Sequence, residues 1–142
     1  MTGVGPRSRR TTSPHEDVYA VLEDGGVRRL DALHWGLVPV WAKDVKIGNR
    51  MINARAETLA TKNAYKHAFR KRRCIIPANG FYEWTARPGQ KKKQPWYIRR
   101  ADGAPLAFAG LWETWRGPEP YGDEELHSCT IITGEPNERI AE

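Results

Sequence analysis

The sequence predicts a single α+β domain in which a strongly bent antiparallel sheet, barrel-like in form, carries flanking helices. Three observations lead there. A chain of 142 residues buries one core and is short for two domains. Brief apolar and aromatic runs, most of them punctuated by Gly or Pro, recur from Val18 to Thr133. Helical spacing is clear in one segment, Asn63–Arg70, where Ala64, Tyr65, Ala68 and Phe69 line one face while Lys62, Lys66 and Arg70 step by four along another.

The elements follow in order. Residues 1–14 are rich in Gly, Pro, Ser, Thr and Arg with almost nothing to bury, so they read as a disordered arm ahead of a domain at 15–142, with order beginning near Val18. Val18–Leu22 and Val27–Leu33 form a hairpin, because Asp24-Gly25-Gly26 supplies the positive φ that a tight turn needs. Further strands are expected at His34–Val38, Cys74–Pro77, Gly80–Trp84, Trp96–Arg99, Leu106–Trp112 and Ser128–Thr133. A second helix is expected to start at Thr133, with Pro136 early and acids in its first turn, and its pattern is cut off at Glu142. A helix ending in mid-pattern leads us to expect that the domain is longer than this chain.

Charge narrows the function. Against 17 Asp and Glu stand 23 Lys and Arg, a net charge of +6, and the excess is concentrated. Between Thr58 and Ala101 there are twelve Lys and Arg and one carboxylate, Glu83, set in Gly80-Phe81-Tyr82-Glu83-Trp84. A basic segment interleaved with aromatics suits a polyanion with stackable bases. No apolar run approaches the roughly 18 residues that span a bilayer, and Met1–Arg7 lacks the apolar stretch of a secretion signal, so no membrane partner and a cytoplasmic location (nucleoid-associated in a bacterium) are expected. Cys74 and Cys129 lie beside Ile in apolar runs without CxxC spacing and read as reduced core residues. His15, His34, His67 and His127 are scattered, and neither a metal nor a cofactor is expected.

Three places carry candidate chemistry. In Trp35-Gly36-Leu37-Val38-Pro39-Val40-Trp41, a Trp at a loop tip can stack on bases, and the alternative is that Trp35 and Trp41 are core. In Met51–Thr58 an extended backbone would put Asn53, Arg55 and Glu57 on one face. An Asn there can hold a carbonyl or hydroxyl and an Arg can clamp a phosphate, or else Arg55 pairs with Glu57 while Asn53 caps a turn. Glu83 among aromatics suits a general acid or base, or else it is a charge partner for Arg72, Arg73 or Lys91–Lys93.

The ordered motifs Trp35-Gly36-Leu37-Val38-Pro39, Asn53-Ala54-Arg55-Ala56-Glu57-Thr58, Arg73–Trp84 with Gly80-Phe81-Tyr82-Glu83-Trp84 at its end, Gln94-Pro95-Trp96-Tyr97, Ala109-Gly110-Leu111-Trp112 and Thr130-Ile131-Ile132-Thr133 together resemble the SRAP family, the SOS response-associated peptidase or abasic-site processing proteins. The resemblance spans roughly Pro14 to Glu142. It implies a monomer that binds single-stranded DNA at an abasic site in the response to DNA damage. A cysteine exposed at position 2 by autoproteolytic removal of Met then forms a thiazolidine with the sugar aldehyde, a covalent protein–DNA linkage. Carried over by motif, Asn53 orients the nucleophile or the ring-opened sugar and Glu83 is the general acid/base. Arg55 holds the adjacent phosphate, Trp41 is an aromatic wedge, and Thr133 lines the pocket or contacts DNA.

Two departures separate this chain from that pattern. Where the family begins Met-Cys-Gly-Arg, this chain has Met1-Thr2-Gly3-Val4, with a shorter stretch before Val18, and the family continues past the position of Glu142 with Ile-His and an active-site histidine. Without a thiol at position 2, enzymatic competence is an open matter. A Thr2 amine would form only a reversible imine, and the alternative function is a non-catalytic remnant that binds single-stranded DNA.

Overall fold

The computed structural model describes residues 13–118 and 125–135. The expected arm at 1–14, but for its last two residues, and nearly all of the expected C-terminal helix lie outside them. Eight strands are present: β1 (Asp17–Asp24), β2 (Val27–Trp35), β3 (Asn53–Arg55), β4 (Arg73–Ala78), β5 (Phe81–Thr85), β6 (Gln94–Ile98), β7 (Leu106–Arg116) and β8 (Glu125–Thr133). Among the described residues the one α-helix, α1, spans Lys66–Lys71, and two short 3-10 turns occupy Val45–Arg50 and Ala56–Thr58.

The hairpin at the start is as the sequence predicts. Asp24 pairs with Val27 across a two-residue loop in which Gly25 and Gly26 have φ of 57° and 79°. Both values lie in the left-handed region that glycine enters without steric cost, which matches the twist of the flanking strands. β2 continues through His34 and stops at Trp35, so the separate strand expected at His34–Val38 is instead the end of β2 followed by an irregular loop.

The strands run β2-β1-β4-β7-β8-β3, and β2 also pairs with β8. That extra pairing closes β2, β1, β4, β7 and β8 into a five-stranded barrel. The sheet is mixed and not wholly antiparallel: β2 meets β8 in parallel through His34–Ser128 and Trp35–Cys129, and β3 meets β8 in parallel through Asn53–Ile131 to Arg55–Thr133. The domain is also poorer in helix than expected, since α1 begins at Lys66 and not at Asn63.

Strand alternation divides the core. Ala20, Leu22, Leu33, Cys74, Ile76, Trp112 and Cys129 fill the barrel, where both cysteines are buried and free, as the sequence predicts. On the outside, Leu111 of β7 and Ala54 of β3 pack with Leu37, Leu59, Tyr65 and Ala68, which seats α1 and the loops around it. A third cluster forms where Trp115, 2 % exposed, holds Val38 and Ala42 and donates its indole N–H to the Ala42 carbonyl at 2.7 Å. This anchors the loop after β2, together with a 2.8 Å hydrogen bond from the Val38 amide to Ser128 Oγ.

Candidate nucleic-acid interface

Strand directions define two rims. β4 antiparallel to β1 and β7, and β8 antiparallel to β7, put the C-terminal ends of β2, β4 and β8 at one end of the barrel with the start of β7. β3, parallel to β8, adds Arg55 to that same rim. At this end β8 passes from one neighbour to another: it pairs with β2 at Ser128–Cys129 and with β3 at Ile131–Thr133. Trp35 ties the exchange, its indole N–H donating to the Ile52 carbonyl at 2.9 Å while the Ile131 amide donates to that same oxygen at 3.1 Å. Trp35 is half-buried against the barrel core, in line with the core alternative.

In-register parallel partners share a face, so Asn53 and Arg55 lie on the face of Ile131 and Thr133, while Ala54 turns into the packing outside the barrel. Ile131 borders the barrel interior. The face that is apolar inside the barrel therefore becomes polar past the seam. Both side chains are exposed, and among the described residues neither makes a side-chain hydrogen bond or ion pair. Their backbone carbonyls are held, that of Asn53 by Tyr65 Oη at 3.3 Å and that of Arg55 by Thr58 Oγ1 at 3.3 Å. The expected sharing of this face by Glu57 is corrected. The extended segment ends at Arg55 and Glu57 falls in a 3-10 turn, so the period of two is broken and there is no Arg55–Glu57 ion pair among the described residues.

Glu83 stands on the β5–β6 hairpin, which leaves the same rim from the end of β4 through Asn79-Gly80. Cross-strand pairs set its two faces: Phe81 opposes Ile98 and Glu83 opposes Trp96, while Tyr82 opposes Tyr97 and Trp84 opposes Pro95. Phe81 packs edge-on against Phe108 of β7 at 5.6 Å, and Phe108 rests on the barrel core. The Phe81–Glu83 face is thus the one turned to the barrel. The expectation of a desolvated carboxylate is not met, because Glu83 is exposed. Nor does it pair with a cation among the described residues; Arg72 is engaged elsewhere and Lys91–Lys93 form an exposed loop.

Trp41, 56 % exposed, lies in the turn after Pro39 and is not a core residue; its indole N–H reaches the Asn63 carbonyl at 3.4 Å. Asn53, Arg55 and Thr133 are thus brought onto one face, Glu83 stands on a hairpin from the same rim, and Trp41 sits on a separate loop.

Sequence reasoning missed a buried charge cluster. Glu113 on β7 is 2 % exposed and receives Arg72 Nη1 at 3.1 Å, with His67 Nδ1 3.0 Å from its other oxygen. Arg72 also lies over the Trp112 ring at 5.0 Å. The signal in the chain was a lone acid in the apolar run Leu111-Trp112-Glu113-Thr114-Trp115, which demands a partner. At the rim opposite Arg55 lies an open cavity of about 900 Å3 whose wall includes Glu23, Arg29, Arg72, Arg116 and Glu125. Its charges are of both signs and it is remote from the β3–β8 seam. The thiols add no nucleophile, since burial pushes Cys74 and Cys129 up to about 12.

The barrel, its polar seam and the aromatic hairpin define a class of β-rich domain whose exposed chemistry is gathered at one rim. The family model for SOS response associated peptidase (SRAP) matches residues 4–142, and the chain belongs to that family. It is 49 % identical over 126 residues to abasic site processing protein YoaM of Bacillus subtilis, a match covering 89 % of this chain and 54 % of that protein. Abasic site processing protein HMCES of Xenopus tropicalis is 34 % identical over 131 residues, covering 78 % of this chain and 38 % of the other. A crystal structure of a protein from Bacteroides thetaiotaomicron superposes with a TM-score of 0.76 at 27 % identity, covering 87 % of this chain and 52 % of that one. This chain spans about half the length of the bacterial relatives it matches. No helix among the described residues is long and apolar enough to cross a membrane.

Proposed function

We propose that the protein binds single-stranded DNA at abasic sites, with Asn53, Arg55 and Thr133 as the surface that receives the lesion. The observation that carries this reading is the polar face of β3, whose side chains have no partner among the described residues, in a family whose relatives bear the name abasic site processing protein. In this reading Arg55 clamps the phosphate beside the lesion through two parallel hydrogen bonds, Asn53 holds a hydroxyl or carbonyl of the ring-opened sugar, and Thr133 borders the pocket. Glu83, exposed and without an ion-pair partner among the described residues, moves the protons of imine formation between an amine and the sugar aldehyde. Trp41 occupies the gap left by the missing base.

The amine is the N-terminal one in the crosslinking form of this reading. A thiol beside that amine would close a ring on the imine, whereas a hydroxyl closes one far less readily and would leave the imine reversible. A second reading, lesion-tolerant strand binding without covalent chemistry, is favoured by the burial of both thiols.

Borohydride reduction during incubation with an abasic single-stranded oligonucleotide tests the first form, because it fixes an imine as a stable secondary amine. An adduct lost in Glu83→Gln and Asn53→Ala supports the catalytic roles. Lesion preference without an adduct supports binding alone, and equal affinity for damaged and undamaged strands ends the abasic-site reading.

A further inference from the structure

Resting on the single-stranded DNA reading above, the outer face of the β5–β6 hairpin carries a second element of recognition. We propose that Tyr82, Trp84 and Tyr97 form a stacking platform for unpaired bases that flank the site at β3, independent of the lesion itself.

Tyr82 and Tyr97 are a cross-strand pair with ring centroids 5.1 Å apart, and Trp84 is the next residue on that face of β5. All three are about half exposed: 50 %, 49 % and 59 %. The Phe81–Phe108 contact holds the hairpin to the barrel through its other face, and none of these three rings takes part in it. A soluble surface seldom groups aromatics in this way without a partner. Strand geometry also suits stacking, because residues i and i+2 on one face are roughly 7 Å apart, about two base-stacking steps.

Charge identifies the occupant. From Thr85 to Arg100 the chain holds Arg87, Lys91, Lys92, Lys93, Arg99 and Arg100 and no carboxylate. Arg99 and Lys91–Lys93 make no ion pair among the described residues, while Arg100 is paired with Asp102 and Arg87 lies 5.9 Å over the ring of Trp96, on the opposite face of the hairpin. Aromatics with π-faces open to solvent, flanked by uncompensated cations, match an unpaired nucleic-acid strand, whose bases stack and whose phosphates seek the cations. A stacked duplex offers no free base face and fits poorly.

Fluorescence anisotropy with three probes tests this: an undamaged oligothymidylate, the same strand with one abasic site, and a duplex. Trp84→Ala is expected to weaken binding of the undamaged strand by about tenfold while leaving the ratio of damaged to undamaged affinity unchanged; Asn53→Ala is expected to do the reverse. Trp84→Phe should bind within about twofold of the parent, since it keeps a stacking ring. It should also lose much of the tryptophan quenching that the strand produces, a readout that does not depend on the alanine variant folding.

The platform is refuted if Trp84→Ala and Tyr82→Ala bind the undamaged strand as the parent does, or if Trp84→Phe retains the whole quench. It is refuted also if the parent self-associates and Trp84→Ala abolishes that association, because the face then contacts a second copy. Absence of lesion preference in the parent overturns the abasic-site reading but leaves the platform standing wherever Trp84→Ala weakens strand binding.

Discussion

Glu113 and Arg72 form an ion pair of 3.1 Å in which the glutamate side chain is 3 % exposed and the arginine side chain 28 %. Beside the pair the backbones are joined as well, since the amide of Trp112 donates to the Arg72 carbonyl at 2.9 Å. The residue that follows α1 as its C-cap is thereby pinned to β7.

Removing one partner of such a pair should cost more than the pair contributes. Arg72→Ala strands the Glu113 carboxylate with only His67, itself half exposed, and is expected to lower stability by about 2–3 kcal/mol, below the range for fully buried pairs because Arg72 is partly in water. Joint replacement of Glu113 by Leu and Arg72 by Met should recover much of that loss. Urea denaturation of the parent and the two variants measures the difference.

Arg55→Ala is expected to weaken binding of single-stranded DNA and to reduce the slope of log affinity against log salt by about 0.7, one phosphate contact. Titration between low and moderate salt reads this directly. An unchanged slope would assign the phosphate contacts to other cations.

The thiols make alkaline stability a test of burial. Both pKa values rise from 9.0 to about 12 on folding, chiefly through desolvation, and Tyr65 shifts the same way. A raised folded pKa means that the contribution is whole below pH 9 and declines as pH climbs toward 12, because the unfolded chain loses those protons first. The midpoint of thermal unfolding should therefore fall across that window, and it should fall less in Cys74→Ala. Thiol reagents should label the native protein only at the rate of opening.

Gly80→Ala is expected to displace the β5–β6 hairpin. An added Cβ would sit 2.5 Å from the Ile98 carbonyl oxygen and 2.6 Å from the Tyr97 ring, and the carbonyl, being backbone, cannot step aside. Strand binding should weaken as in Trp84→Ala while the amide signals of the barrel stay in place, which NMR would separate.

Trp115→Ala removes the anchor of the loop that carries Trp41 and should cost about 3–5 kcal/mol, the combined effect of a large cavity and a lost 2.7 Å hydrogen bond to Ala42. Trp115→Phe keeps most of the volume and should cost less, so the difference between the two in thermal unfolding isolates the packing contribution.

Local chemistry explains what the sequence revealed. Asp24-Gly25-Gly26 specifies its own turn, and the alternation in β7 and β8 marks their buried faces, so these needed no tertiary information. The two parallel pairings of β8 were hidden because parallel strands are joined through distant chain, here from Trp35 to Cys129 and from Asn53 to Ile131. Asn53 and Arg55 were legible as one face because β3 is extended. Glu57 was misplaced because nothing local announced the 3-10 turn after Arg55. Glu113 was overlooked since its partners, Arg72 and His67, are some forty residues away and read as surface charge in the basic stretch.

The replacement of β2 by β3 along β8 has a consequence for motion. The strand that presents Asn53 and Arg55 has a three-residue ladder on one side only, supplemented by the Trp35 tether, the packing of Ala54 and side-chain hydrogen bonds from Tyr65 and Thr58, whereas every strand of the closed barrel has neighbours on both sides. Such a short outermost strand opens at lower free energy than the staves behind it. Its amides should exchange with solvent first, and an occupant seated across Arg55 and Thr133 would slow that exchange, making the looser part of the molecule the reporter of its own loading.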